Sequence, residues 1–180
     1  ETGPDAIKRE NFYEAAWNEA EYNGKTYAIP SGIDDRMLLY NKKLFKEAGL
    51  DPNKPPRTWE ELKEYAVKLT KKNDDGTFAR IGFIPNYGNS WFYLYSWQNG
   101  GEFMSPDGRL CTLFSPENAQ ALGYMKDVYD ALGGYSAVNI FQTGFQSNEQ
   151  DPFFTGKVAM VVNGSWVIPN IARYAPDLEF

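Results

Sequence analysis

Short apolar runs that alternate with capped helical stretches are the feature that most limits how this chain can fold. Residues 158–162 are the most apolar run and predict a buried strand. Thr58 and Glu61 form a capping box that opens one helix, and Ser115 followed by Pro116 opens another. Because strands that alternate with helices build layered structures, the pattern predicts an α/β fold with a mixed β-sheet flanked by helices.

Turn and cap residues place the remaining elements. Asn23-Gly24 predicts a tight hairpin turn, since both residues tolerate a positive φ. The other predicted elements are a short helix or irregular segment at residues 11–18, a strand at 37–41, a helix at 42–48 ended by Gly49, a helix at 58–72, a strand at 81–85, an aromatic helix at 90–98, a hairpin at 103–114, a helix at 115–131, a loop at 135–146, a short helix near Phe153, and a final helix kinked or stopped around Pro169.

Composition excludes several classes of function. The 180 residues, 42% of them hydrophobic, are enough to bury one core. A net charge of -6 without a cluster of Lys and Arg argues against nucleic acid as a partner, because phosphate neutralisation needs such a cluster. The sequence has no histidine, which removes the commonest general base and metal ligand. Cys111 is the single cysteine, so it forms no disulfide within the chain, and its alternating surroundings predict a half-buried strand position.

Catalytic and cofactor motifs are missing from the sequence. It contains no phosphate-binding loop, nucleophile elbow or metal-ligand spacing, so no cofactor and no metal is predicted. Asp34 and Asp35 are a pair of acids of the kind that glycoside hydrolases use. Adjacent residues of an extended strand point to opposite faces, however, so these two acids do not easily flank one bond. Binding is therefore favoured over catalysis.

Aromatic residues are the positive signal. The 5 Trp, 12 Tyr and 12 Phe residues exceed what a core of this size needs. Trp and Tyr rings stack on the apolar C–H faces of sugars while their polar edges tolerate water. The rings between Tyr87 and Trp97 cover more than one face of a short helix, so some of them, with Tyr87 and Trp91 as candidates, are expected to remain accessible to a ligand.

Trp166 is the sharpest candidate among the aromatic residues. It lies just past the strand at residues 158–162, at a Gly164-Ser165 turn that leads into a helix. Ligands of α/β sheets lie outside such strand ends, near backbone N–H groups. We therefore predict that Trp166 and the turn at Gly164 contact a ligand.

The order and spacing of three segments resemble a known family. Residues 22–30, 40–50 and 154–166 are similar to the hinge-side hairpin, the strand and helix, and the ligand-facing turn of bacterial extracellular solute-binding proteins of the sugar-binding, maltose-binding-protein-like group. These proteins deliver sugars to ATP-driven (ABC) importers. The resemblance implies a lobe of the type II periplasmic-binding-protein fold that binds a carbohydrate and is not an enzyme.

The resemblance also implies roles for individual residues. Asp34 matches the acid that accepts hydrogen bonds from sugar hydroxyls, and Arg36 is a second polar contact. Ser90 and Trp91 fall nearest the positions whose side chains reach the ligand, and Trp166 matches the tryptophan that stacks on sugar. Gly88 departs from the pattern because it stands where the maltose-binding members carry an acid. The identity of the sugar therefore stays open.

The extent of the chain follows from the same resemblance. Residues 4–180 are expected to form a single C-terminal lobe whose partner lobe is absent. Residues 1–3 are expected to be a remnant of a secretion vector. The expected location is outside the cytoplasm, either in the periplasm or as a cell-surface lipoprotein, and the expected protein partners are the permease subunits of the importer. One lobe offers half a cleft, so weak sugar affinity and self-association through the ligand face are expected. The alternatives are a lobe for another polar solute, such as a polyamine, and a carbohydrate-active enzyme domain.

Overall fold

The computed structural model describes Gly3 and residues 6–180, which form two compact units, one ending at Asp35 and one spanning Arg36–Phe180. The expectation of a vector residue at 1–3 lies outside the described residues, apart from Gly3. The sheet and the main core belong to the second unit, and the assignment of residues 4–180 to one lobe stays a prediction.

The first unit is built around a helix and a hairpin. A 3-10 turn at Arg9–Asn11 precedes helix α1 (Glu14–Glu19), and strands β1 (Glu21–Tyr22) and β2 (Lys25–Thr26) pair in an antiparallel hairpin. The predicted turn is confirmed, because Asn23 and Gly24 have φ values of 49° and 70°.

The second unit contains, within the described residues, a four-stranded mixed sheet with the strand order β3-β6-β5-β4. Its strands are β3 (Arg36–Tyr40), β4 (Lys71–Lys72), β5 (Phe78–Gly88) and β6 (Val158–Gly164). The central β5 and β6 run parallel, whereas β3 pairs with β6 and β4 pairs with β5 in antiparallel directions. The predicted mixed sheet is confirmed.

Helices flank both faces of this sheet. They are α2 (Lys42–Glu47), α3 (Trp59–Leu69), α4 (Phe92–Gln98), α5 (Pro116–Leu132), α6 (Tyr135–Gln142) and α7 (Val167–Tyr174), with a 3-10 turn at Asn148–Gln150. Met160 of β6 belongs to the main core, which also includes buried residues of α3, α4 and α5. The next residue, Val161, packs with Val167 and Ile171 of α7 in a second cluster. Consecutive residues of a strand face opposite sides, so one strand contributes to both layers.

The predicted caps form as hydrogen bonds. Thr58 Oγ1 accepts from the Glu61 N–H at 3.2 Å, while the Glu61 carboxylate accepts from the Arg57 N–H at 2.6 Å, one residue earlier than a capping box requires. Ser115 Oγ accepts from the Asn118 N–H at 3.2 Å at the start of α5. These bonds satisfy N–H groups that have no partner within the helix.

Two predicted helix ends are corrected. Helix α3 ends at Leu69 rather than near residue 72, since the Thr70 hydroxyl donates to the Ala66 carbonyl at 2.7 Å and Lys71–Lys72 pairs with β5. Pro169 does not stop or kink the last helix. It occupies the first turn of α7, where a missing N–H breaks no helical bond, and α7 continues to Tyr174.

The predicted hairpin at residues 103–114 is wrong in its strands. Its turn forms, with the Gly108 N–H donating to the Ser105 carbonyl at 2.8 Å, but the flanks share a single bridge between Met104 and Cys111. The buried Asn118 amide of α5 donates to the Glu102 carbonyl at 3.0 Å and so ties this segment to the helix. Cys111 is exposed, contrary to its predicted half-buried position.

The predicted loop at residues 135–146 is also wrong, because α6 spans Tyr135–Gln142. Its N-cap is Gly134, which has no side chain to signal a helix start. Phe153 does not lie in a regular helix but in a series of turns after the 3-10 segment.

Candidate ligand-binding site

Three strand ends meet at one edge of the sheet. Because β5 and β6 are parallel, their last residues, Gly88 and Gly164, lie at the same edge, and Gly88 is in register with Val162. The antiparallel β3 begins there, with Arg36 opposite Gly164. Carboxyl ends of parallel strands are where α/β sheets bind ligands.

Trp166 stands at this edge and remains accessible. It occupies the N-cap position of α7, two residues after β6 ends, and the residue is 44% exposed. The Arg36 guanidinium carbon lies over the ring at 4.7 Å from the centroid, a cation–π contact. The structure therefore brings the predicted residues Arg36, Gly164 and Trp166 together.

Gly164 is what allows the Trp166 ring to lie back over the strand end. A Cβ atom built on Gly164 would overlap the six-membered ring of the Trp166 indole. The buried Gly164 thus acts on the position of the tryptophan. Sequence reasoning named this residue for its turn and missed this steric reason.

Trp91 lies after the end of the neighbouring strand. It precedes α4, its side chain is 56% exposed, and its Nε1–H donates to the Gly88 carbonyl at 3.2 Å. Gly88 has a φ of 69°, and an added Cβ would come within 2.6 Å of the Val162 carbonyl oxygen. With β5 and β6 paired this closely, a side chain at this position would require a shift, which is a reason for glycine where the maltose-binding members were expected to carry an acid.

Two asparagines that sequence reasoning missed join the strand ends. The Asn89 side chain donates to Asn163 Oδ1 at 2.7 Å, and the Gly164 N–H donates to the same oxygen at 2.9 Å. The Asn89 backbone N–H also donates to the Val162 carbonyl at 2.8 Å. An asparagine within one residue of each strand end was the available sequence signal.

The side chains of Ser90 and Tyr87 point into the protein: the Ser90 hydroxyl is buried, and the Tyr87 ring packs against another aromatic ring. Ser90 is fully buried, with its hydroxyl 2.8 Å from the carbonyl oxygens of both Pro85 and Tyr87. The half-buried Tyr87 packs edge-on against Phe145, with ring centroids 5.1 Å apart. Burial, with a smaller contribution from the charge of Asp151, raises the pKa of Tyr87 well above its usual range.

Asp34 is exposed and lies in the first unit, in a segment without helix or strand.

Among the described residues, no group of three or more Cys, Asp and Glu side chains is arranged to hold a metal ion. No helix in the described part of the chain is long and apolar enough to cross a membrane.

A cavity of about 370 Å³ lies on the α3 and α4 side of the sheet. Arg36, Leu38, Trp59, Gln98 and Val162 are among its lining residues, whereas Trp91 and Trp166 are not. The two accessible indoles thus lie at the strand ends, outside this cavity.

Comparison with known proteins decides the family. The model of the family described as "Bacterial extracellular solute-binding protein" matches residues 2–180. The chain belongs to the bacterial extracellular solute-binding protein family. Its members bind solutes, and the expected resemblance and fold class are confirmed.

Three relatives show the range of this solute-binding family. The sn-glycerol-3-phosphate-binding periplasmic protein UgpB of Escherichia coli (strain K12) is 30% identical over 160 residues, which cover 84% of this chain and 34% of UgpB. The structure of CpMnBP1 with mannotriose bound has a TM-score of 0.84 at 36% identity, over 96% of this chain and 45% of that one. The substrate-binding protein Lmo0181 from Listeria monocytogenes, in complex with cycloalternan, has a TM-score of 0.75 at 26% identity, over 96% and 42%. The chain thus spans less than half the length of these relatives.

Proposed function

We propose that this chain binds an oligosaccharide at the sheet edge that carries Trp91 and Trp166, without chemical conversion of the sugar. The observation that carries the proposal is the pair of accessible indoles at the ends of the parallel strands β5 and β6. The bound mannotriose of CpMnBP1 and the bound cycloalternan of Lmo0181 support a carbohydrate, and CpMnBP1 favours a mannooligosaccharide as the first probe.

The chemistry of the edge suits a neutral sugar. Indole faces stack on the C–H patches of pyranose rings. Arg36 supplies N–H donors beside Trp166. For Asp34, which belongs to the first unit, the family resemblance alone supports the proposed role as an acceptor for sugar hydroxyls. Tyr87 and Ser90 are proposed to act indirectly, since their packing and hydrogen bonds fix the chain between Pro85 and Trp91.

The chain is proposed to supply one of two facing walls of a binding cleft. Its relatives are more than twice its length, and two-lobed receptors bury the ligand when the lobes close. Delivery to the permease subunits of an ABC importer, outside the cytoplasm, completes the proposed role. A single wall buries less of the sugar, so we expect a dissociation constant of about a millimolar or weaker for this chain.

The test is a titration of the ¹⁵N-labelled chain with mannotriose, observed by NMR through the indole N–H signals. We expect the signals of Trp91 and Trp166 to shift. Trp97 is the matched control, because it is also exposed, at 58%, but lies at the end of α4 away from the strand ends. Trp59 is a second control, since its Nε1–H donates to Gln98 at 3.0 Å.

Variants sharpen the same experiment. Trp91→Ala and Trp166→Ala should each weaken mannotriose binding, whereas Trp97→Ala should leave it unchanged. Glycerol 3-phosphate and putrescine serve as the other ligands of the panel. Shifts at Trp91 and Trp166 with one of these ligands and not with mannotriose would support the location of the binding site and contradict a carbohydrate as its ligand. Hydrolysis of the added mannotriose by the purified chain would overturn the binding role in favour of an enzyme.

A further inference from the structure

A groove is lined by residues that lie close in sequence to those of the proposed sugar-binding edge. Its volume is about 400 Å³, and its walls come from β5, α4, α5 and α6. Its lining includes Asn86, Phe92, Lys126, Tyr129, Asp130 and Tyr135. We call this feature the Tyr135 groove.

The Tyr135 groove is joined to the edge through the backbone. Asn86 immediately precedes Tyr87 in β5, and Phe92 immediately follows Trp91 at the start of α4. Consecutive Cα atoms are about 3.8 Å apart, so the backbone of the groove meets that of the edge at Phe92, and Asn86 lies two residues before Gly88, the end of β5. An oligosaccharide that extends past Trp91 on the side of Phe92 would therefore reach the groove.

The wall of the groove offers aromatic surface to a sugar ring. Tyr135 is 60% exposed at the start of α6 and packs edge-on against Tyr129, with ring centroids 5.3 Å apart. That contact fixes the ring of Tyr135 from one side and leaves the rest of it accessible. Leu122 and Met125 of α5 complete an apolar floor.

The polar groups of the groove carry both signs of charge. Lys126 Nζ and Asp130 Oδ2 form an ion pair at 2.5 Å on successive turns of α5. Their exposed side chains add donors and acceptors next to the exposed Asn86. A paired cation and anion favour a neutral polyol over a phosphate or an amine, because each charge is already compensated.

From this juxtaposition we infer that the Tyr135 groove binds an additional hexose unit of a longer oligosaccharide whose first units lie against Trp91 and Trp166. The inference rests on the proposed function and extends it to ligand length. The groove selects chains longer than a disaccharide, since a disaccharide at the two indoles leaves the groove empty.

The experiment compares mannobiose with mannotetraose on the intact 180-residue chain by NMR titration. The side-chain amide signal of Asn86 reports on the groove, and the indole signals of Trp91 and Trp166 report on the edge. Mannobiose should move only the indole signals, and mannotetraose should move all three. The additional aromatic contact should make mannotetraose bind about two- to tenfold more tightly than mannobiose.

Tyr135→Ala should remove this preference and leave mannobiose binding unchanged. Ile140→Ala is the matched control, because Ile140 is 71% exposed on the same helix and does not line the groove. Mannobiose shifts at both indoles, with an Asn86 signal that mannotetraose does not move, would overturn the inference and keep the proposed function. An absence of shifts at Trp91 and Trp166 with either sugar would overturn both. The Asn86 signal needs no substitution, so the test stands even if Tyr135→Ala impairs folding.

Discussion

At the scale of single residues, Gly164 controls the position of Trp166. Gly164→Ala should force the indole out of its place over the strand end, because the new methyl group would overlap its ring. We expect sugar binding to fall as far as in Trp166→Ala, with a change in the NMR signal of the Trp166 indole before any sugar is added.

Ser165→Ala is the matched control for this prediction. Ser165 is the exposed neighbour of Gly164, and its side chain forms no hydrogen bond among those of the described residues. It should leave both the indole signal and binding unchanged. A Gly164→Ala variant that binds mannotriose as the wild type does would show that the position of the ring is not needed.

Asp151 gives a prediction about pH. Burial raises the pKa of this carboxyl above its ordinary value of 3.8, although the N–H groups of Phe153 and Phe154 partly oppose the shift. The folded chain therefore holds this proton more tightly than the unfolded chain does. The contribution of Asp151 to stability is highest at low pH and is lost as the pH rises from about 3.8 through the raised pKa of the folded state.

Asp151→Asn removes this dependence, since the amide oxygen of asparagine still accepts from the Phe153 N–H, which donates to Asp151 at 2.8 Å. The free energy of unfolding of the variant, relative to the wild type, should increase with pH over that window and then level off. Urea unfolding at a series of pH values measures it. A difference that does not change with pH would contradict the assignment.

At the scale of elements, the approach of α3 to β5 depends on Gly82. An added Cβ at Gly82 would overlap the Ala66 carbonyl, and the Gly82 N–H donates to the Thr70 hydroxyl at 2.9 Å. Gly82→Ala should therefore lower the free energy of unfolding by about 1–3 kcal/mol. Gly123→Ala in α5 is the control, because its Cβ would meet open space, and it should raise stability by up to about 1 kcal/mol. Equal stability of the two variants, measured by urea unfolding, would argue against the close approach.

The accuracy of the sequence predictions for each element follows from where its stabilising contacts come from. The starts of α3 and α5 were predicted because Thr58 and Ser115 bond within their own first turns. Helix α6 was missed because it depends on contacts with residues far away in sequence. One example is the contact of Phe141 with Phe78, whose ring centroids are 5.8 Å apart. The second hairpin was overpredicted because its turn residues are local, whereas the bonds from Asn118 that hold its flanks come from another element.

At the scale of the whole molecule, the described surface exposes several large apolar residues. Met104, Leu110, Leu113 and Phe114 of one segment are 46–103% exposed, in addition to Trp91 and Trp166. Such surfaces tend to find partners. We expect sedimentation velocity to show self-association as the concentration of the chain increases.

Two double variants separate the surfaces that could mediate self-association. If the ligand face is responsible, Trp91→Ala with Trp166→Ala should restore the monomer, and added mannotriose should do the same for the wild type. If the segment after Met104 is responsible, Leu113→Ser with Phe114→Ser should restore it instead. A wild-type chain that stays monomeric at every concentration would contradict the prediction.

The sequence by itself determined the α/β class, the family resemblance and the best-placed ligand candidates, Trp166 and Trp91. These follow from local patterns: apolar periodicity, caps, and an aromatic residue just beyond a strand. Only the tertiary structure decided which candidates face solvent and which face the core. Ser90 and Trp91 are neighbours in sequence, yet one is fully buried and the other is 56% exposed. Burial depends on residues brought together from distant parts of the chain, such as Arg36 over Trp166 and Asn163 beside Asn89, and no local pattern encodes those contacts.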